Sequence, residues 1–421
     1  MKVLIISHNP ISKHQNMGKT LMSIFSSFEK EELCQLYIYP SLPDGDYCNS
    51  FLRITDSDAL RGFFSRRVKS NVVNSFTPTK SLPSIYQSKN NNSFLKLLLR
   101  DFVWLLSPWF NKKVKKWILN EKPTHIFLAP GSSKFIYRMA LRISKYFSLP
   151  LITYFCDDFY FQKTPNSLFG RIWHRKLKRI TRKTITNSWF IINICETMFK
   201  LYKDSFSCEG FTLMTGSSYQ PKSTIFCKRT ITSLTYMGNI GLNRYKSLIE
   251  VGKALEKLNA CREDECFLDI YSKIVSREVS DELSSISSIR LHEYVVGEEY
   301  KKVFFSADSF IHVESLNPLD LERIKYSVST KIADILASGI PLFSYGPEGV
   351  ASINHLKANK CAAIVTSSND LLIGLASFLD DLELRKKVST QGLITARSYH
   401  NSFENSLQLK KRIITGKTYV F

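Results

Sequence analysis

The stretch STKIADILASGIPLFSYGP, residues 329–347, leaves the backbone little choice. Ser329 or Thr330 suits the cap at the amide end of a helix, and Ile332, Ile335 and Leu336 recur at helical spacing over 331–338. Gly339 fits the left-handed residue that closes such a helix, and Pro341 lies just beyond the stop. The apolar run 341–345 then predicts a buried strand. The helix aims the positive end of its dipole at whatever sits above the sheet, with Lys331 in the first turn, and a diphosphate is the natural occupant. Asp334, one turn on, is placed to reach the same mouth and accept hydrogen bonds from sugar hydroxyls.

The rest of the chain repeats this alternation. Apolar runs at 2–7, 36–39, 124–129, 149–155, 189–195 and 211–215 read as strands of a first series, and 216–221 reads as a linker. A second series follows, with strands at 234–237, 266–271, 289–295 and 364–366. Open parallel sheets do their chemistry at the carboxyl ends of strands. Asp157 and Asp158 lie at such an end, after 149–155, and are an acidic pair well placed for chemistry. Gly238-Asn239-Ile240-Gly241 occupies the same kind of turn, where backbone amides approach a phosphate, although G-x-G-x-x-G is not matched.

Other patterns are excluded by spacing. Gly18-Lys19-Thr20 suggests a phosphate-binding P-loop, but Lys13 stands where that motif needs its first glycine. The D-x-D triplets at 44–46 and 56–58 read as turn chemistry rather than metal ligands. Residues 65–93, rich in Ser, Asn and Lys, read as a loop or insertion of low order. Nine cysteines without C-x-x-C or zinc spacing read as reduced thiols of a cytoplasmic protein, and no signal-peptide core or membrane-spanning run is expected.

Lysine and arginine number 58 against 37 acidic residues, a formal charge of +21, which favours anionic partners. Residues 163–183 hold basic side chains and no acid, with a basic and an apolar face at helical spacing, which suits an anionic membrane surface or a lipid diphosphate. The stretch 94–118 reads either as a helix in a headgroup layer, with Trp109, Phe110 and Trp117 dipping below, or as a core helix with a solvated basic end. Nucleic acid is not the expected partner, because no helix-turn-helix, RNP-like sequence or zinc finger is present.

The segment from Ser329-Thr330-Lys331 through Asp334 to Gly339-Ile340-Pro341 resembles the nucleotide-sugar-binding element of GT-B glycosyltransferases. Bacterial capsule and exopolysaccharide enzymes, of the family 4-like group 1, read S-K-L/I-x-E/D-x-L/M-A-x-G-x-P there. Gly238-Asn239-Ile240 followed by Arg244 is similar to their donor-side turn, and Ala307-Asp308 through Glu314 resembles their next strand. The resemblance implies an α/β fold of two Rossmann-like domains facing across a cleft, 1–215 binding acceptor and 222–395 binding donor, with 396–421 as a C-terminal helix crossing back.

It further implies transfer of a sugar from a nucleotide-diphosphate sugar to a lipid-linked oligosaccharide, in capsule, exopolysaccharide or O-antigen synthesis. Retention of configuration, no cofactor and no metal are implied too, with the enzyme peripheral on the inner face of the membrane. Donor binding would fall to Gly238, Asn239, Arg244, Tyr294, Glu314, Lys331 and Asp334, and acceptor contact to Gly18 and Lys19, with Asp157 or Asp158 near the reacting groups. Members with two glutamates separated by seven residues would, counting back from Asp334, place the first at Tyr326, and Glu314 or Glu322 would serve instead through a longer loop. The rivals are a non-catalytic nucleotide-sugar-binding partner of another transferase and a basic nucleic-acid-binding protein.

Overall fold

A computed structural model describes residues 1–13, 16–73, 94–217, 219–220, 227–273 and 276–416. Two compact units emerge, one formed by Met1–Leu213 with Ser406–Phe421, the other by Met214–Asn405.

The first unit is built on eight strands: β1 (Val3–Ser7), β2 (Leu33–Tyr37), β3 (Ser50–Arg53), β4 (Asn71–Val73), β5 (His125–Ala129), β6 (Leu151–Phe155), β7 (Phe190–Asn193) and β8 (Gly210–Thr212). They lie in the order β4-β3-β2-β1-β5-β6-β7-β8, all parallel except β4 against β3. The sequence VLIIS of β1 is buried at every position because helices cover both faces, which is why it reads as a continuous apolar run rather than an alternation. Strand order reverses beside β1, where Val3 pairs with Leu33 on one side and His125 on the other.

Several expectations are refined here. Ser50–Arg53 is a strand that the sequence did not single out, and Asn71–Val73 is another, so ordered structure extends into 65–93, the stretch read as a loop, of which 74–93 lies outside the described residues. The second D-x-D triplet opens helix Asp56–Ser65, where Thr55 and Asp58 form a capping box. In the first triplet, Asp44 accepts from the Lys13 amide at 2.9 Å and Asp46 pairs with Lys30 at 2.6 Å. The 94–118 stretch is two helices, Phe94–Leu106 and Lys112–Glu121, and Trp109, Phe110 and Trp117 are buried. The core reading therefore holds for those aromatics, which pack inward while the lysines stay outside.

The second unit carries β9 (Ser233–Tyr236), β10 (Phe267–Tyr271), β11 (Ile289–His292), β12 (Ser309–Val313), β13 (Leu342–Tyr345) and β14 (Ala363–Val365). All are parallel, in the order β11-β10-β9-β12-β13-β14, so the direction of strand addition switches between β9 and β12. Leu234, Leu268, Val313, Phe343 and Leu375 form the centre of its core. Helix Thr330–Ser338 ends at Gly339 with φ 71°, the left-handed closure that glycine adopts without strain. Gly392, on helix Leu382–Tyr399, lets that helix come close, since a Cβ there would stand 3.3 Å from Leu336 Cδ2.

The last helix, Ser402–Thr415, returns to the first unit from Ser406 onward. The Ser27 amide donates to Ser406 Oγ at 2.9 Å, Lys410 pairs with Glu32 at 2.5 Å, and the Arg412 guanidinium stacks 4.7 Å from the Phe190 ring. Among the described residues no helix is long and apolar enough to cross a membrane.

Candidate active site

The switch between β9 and β12 is where an open parallel sheet offers a crevice, because the loops after the two strands diverge. After β9 the chain runs through Gly238-Asn239-Ile240-Gly241 into helix Arg244–Asn259, and after β12 it reaches Glu314. Side chains bridge the two segments. Arg244 gives Nε and Nη2 to Glu314 Oε2 at 2.8 and 2.7 Å, and Ser247 Oγ donates to the Glu314 carbonyl at 2.9 Å.

Glu314 is buried, and a carboxylate there requires partners. Ser352 Oγ donates to its Oε1 at 3.2 Å, and His312 Nε2 stands 3.4 Å from the same oxygen. Burial raises the Glu314 pKa, but His312 and Arg244 outweigh it and hold the carboxyl below its ordinary range. Gly346, after β13, makes room, since a Cβ there would lie 3.0 Å from that of Glu314.

The loop that delivers Arg244 is strained and braced. Leu242 and Asn243 have φ of 54° and 55°, a region that costs a leucine about 1 kcal/mol or more. Asn243 Nδ2 donates to Asp320 Oδ2 at 2.8 Å, and Ser315 Oγ to the same oxygen at 2.9 Å. Asn239 folds its Oδ1 onto the Gly241 amide at 2.7 Å, and Tyr236 donates to the Asn239 carbonyl at 2.9 Å. Gly238 sits over the Tyr236 ring, 2.5 Å from where a Cβ would lie, so no side chain fits.

Lys331 stands at the start of its helix, half-buried, with Nζ 5.5 Å from the centre of the Tyr300 ring. Ser329 occupies the cap position but makes no side-chain cap hydrogen bond. Asp334 differs from the expectation: it is fully buried, and Ser217 Oγ donates to its Oδ1 at 2.8 Å. The reason is that the helix is covered all round, every residue from Ile332 to Ser338 being buried, so one turn on from Lys331 points into protein rather than the mouth. Tyr294, beyond β11, is 45% exposed, with Lys273 Nζ 4.8 Å above its ring. Glu322 lies on a short helix, Pro318–Ile324, that the sequence did not suggest.

In the first unit Gly18 and Lys19 open helix Asn16–Ile24, and Gly18 presses on the loop after β1, where a Cβ would meet the Pro10 carbonyl at 2.6 Å. Asp157 is half-buried at the end of β6. Asp158 is buried and spent on structure. Its Oδ1 accepts from the Tyr160 amide at 2.9 Å and Tyr202 OH at 2.8 Å, while the Phe161 amide donates at 3.1 Å. Asp157 is thus the member of the pair with exposed surface.

A cluster at the carboxyl ends of β1, β3 and β5 escaped the sequence reading. Arg100 forms a two-pronged pair with Asp56 at 2.9 and 3.1 Å and donates to Ser133 Oγ at 2.9 Å, while Trp104 Nε1 donates to Asp56 at 2.6 Å. His8 lies beside it, its pKa lowered to about 3 by burial and then by Arg100, and its Nδ1 has no hydrogen-bond partner among the described residues. The only sequence signal was the polar His8-Asn9-Pro10 break at the end of β1. Among the described residues no group of three His, Cys, Asp or Glu side chains could hold a metal ion.

No family model matches the chain, and no curated protein matches it. Solved structures do match along nearly its whole length. HepE from Anabaena, in complex with UDP, superposes with a TM-score of 0.63 at 9% identity, covering 99% of this chain and 100% of that one. WaaG, a glycosyltransferase involved in lipopolysaccharide biosynthesis, gives 0.58 at 12% identity, with coverage of 99% and 100%. TarM gives 0.64 at 8% identity, with 98% of each chain covered. Two parallel-sheet, Rossmann-like units that superpose on these proteins along the whole chain give this protein the GT-B glycosyltransferase fold.

Proposed function

We propose that this protein transfers a sugar from a nucleotide-diphosphate sugar to a lipid-linked saccharide in capsule, exopolysaccharide or O-antigen synthesis. The observation that carries the reading is the Arg244–Glu314 pair at the switch point of the second sheet. A planar guanidinium fixed there by a buried carboxylate is pre-oriented to accept a diphosphate through its remaining Nη1 edge. Lys331 and the amide end of helix Thr330–Ser338 supply further positive potential. As the bond from sugar to diphosphate breaks, charge grows on the leaving oxygens, and these fixed groups stabilise it without reorganising. That is the role a divalent cation plays elsewhere, so the reaction needs no bound metal in this reading.

In this reading Gly238 and Asn239 would shape the turn under the diphosphate, and Tyr294 would meet the nucleobase. Gly18, Lys19 and Asp157 belong to the acceptor side. Retention of anomeric configuration and residence on the inner membrane face complete the proposal. The direct test is transfer of radiolabelled sugar from UDP-, GDP- and ADP-sugars to a bacterial lipid extract. One donor class should label the lipid fraction, and Arg244→Gln should lower that rate about 100-fold or more. Absence of both transfer and donor hydrolysis with every donor would overturn it.

A further inference from the structure

Helix Leu168–Asn187 carries seven lysines and arginines and no acid. One of its faces, with the loop that follows β6, encloses a groove of about 280 Å³. Arg171, His174, Arg175, Lys178, Arg179 and Arg182 line it, and Tyr160 closes one side with its ring 5.5 Å from Lys178 Nζ. Its lining contains no carboxylate among the described residues. Cations gathered in a concave site at this density repel one another unless an anion joins them.

The floor of the groove is more specific than its charge. His174 is 3% exposed, and its Nε2 has no hydrogen-bond partner among the described residues. A buried polar atom left without a hydrogen bond is costly, so it marks a place where a ligand atom completes the site.

The helix also presents Leu168, Phe169 and Ile172 to solvent beside these cations. Helix Phe94–Leu106 packs against it, with the Phe94 ring 5.6 Å from Trp173, and exposes Leu95, Leu99, Phe102 and Leu105. Phe102 in turn lies 6.1 Å from Phe63, next to Phe64, which is 76% exposed. Exposed leucines and phenylalanines next to an arginine-rich groove suit a ligand with an anionic head and an alkyl chain.

We infer that the groove binds the phosphate or diphosphate group of a membrane lipid, with the cations clamping the head, His174 Nε2 meeting one oxygen, and the chain lying against Leu168, Phe169 and helix Phe94–Leu106. This deepens the lipid-linked acceptor reading by assigning the part of the acceptor that is not sugar.

The test measures binding of the full chain to inorganic pyrophosphate and to phosphatidylcholine vesicles with and without farnesyl diphosphate. Arg175→Gln with Arg179→Gln, both on exposed positions, should weaken both anion-bearing probes about 25-fold, at about fivefold per charge. His174→Gln should weaken them severalfold. Lys113→Gln with Lys116→Gln, on the other basic helix, should change neither more than about twofold. Phe169→Ser with Leu99→Ser should weaken vesicle binding alone. Equal losses from the two charge pairs would show diffuse attraction and overturn the site, and vesicle binding indifferent to the apolar pair would overturn the lipid as the source of the phosphate. UDP binding by the same variants separates the outcomes: it should stay at the wild-type level, and its absence in the wild type would sink the donor reading while leaving the groove standing.

Discussion

Arg244 and Glu314, 70 positions apart, meet through two hydrogen bonds to one carboxylate oxygen, Arg244 opening the helix that follows β9 and Glu314 standing directly after the adjacent parallel strand β12. Breaking a buried pair leaves an uncompensated charge, which costs about 3–5 kcal/mol. Glu314 is buried and Arg244 partly so, and Glu314→Ala should therefore lower stability by about 3 kcal/mol in urea unfolding of the second unit's transition.

The same pair gives a pH signature. Its folded carboxyl titrates below the ordinary glutamate value of 4.5, so its stabilisation is complete above that value and disappears as pH falls through the lower folded value. Urea midpoints measured downward from pH 5 should fall less steeply in Glu314→Gln than in the wild type.

A second acid-sensitive pair sits elsewhere in the second unit. His400 Nδ1 faces the Thr215 carbonyl at 2.9 Å and must donate to it, which leaves Nε2 to accept from His355 Nε2, 3.0 Å away. Burial lowers the pKa of His355 to about 3 and of His400 to about 4, the neighbouring His400 adding to the first. Both are neutral in the fold and protonate near 6.5 when unfolded, so stability is full above 6.5 and declines as pH falls toward 4. Each histidine contributes a slope of up to about 1.4 kcal/mol per pH unit. Denaturation across pH 7 to 4.5 should show this loss, and His400→Asn should remove only its own share, because His8, likewise buried and lowered to about 3, keeps contributing.

Arg385 is a fully buried cation with no carboxylate in its hydrogen-bond set. Its guanidinium donates to the carbonyls of Phe378 and Leu379, at 2.8 and 2.7 Å, and of Arg229 at 2.6 Å. It thereby caps helix Leu371–Asp380 and ties it to the segment that leads into β9. Arg385→Met keeps much of the volume but orphans those oxygens, and should cost about 3 kcal/mol or more by urea unfolding.

Helix closure gives a milder case. Gly339→Ala forces an alanine into φ 71° and should cost about 1–2 kcal/mol, again by urea unfolding.

What the sequence revealed and concealed follows from range. The strands β1, β5, β6, β9 and β13 stood out because parallel strands covered on both faces are rich in apolar and β-branched or aromatic residues. Gly339 announced its helix end through local chemistry. Strand β3, Ser-Phe-Leu-Arg, is short and second from the edge of the sheet, and the acidic triplet after it looked like a turn when it was a helix start. Arg244 and Glu314 were each visible as candidates, but their pairing depends on β9 lying next to β12, which no local pattern encodes. Asp334 misled for the opposite reason. Its spacing from Lys331 was right, yet the covering of that helix by Ser217 and by helix Leu382–Tyr399 was invisible in the segment itself.

The central claim is a nucleotide-sugar donor site at the β9–β12 switch, and thermal unfolding with UDP, GDP, ADP and CMP tests it most directly. A ligand at a hundred times its dissociation constant adds about 2.7 kcal/mol of stability. One nucleotide should raise the unfolding midpoint of the wild type, and Arg244→Ala and Lys331→Ala should each abolish the rise. A midpoint unmoved by all four nucleotides, or a shift that survives both substitutions, would contradict the account.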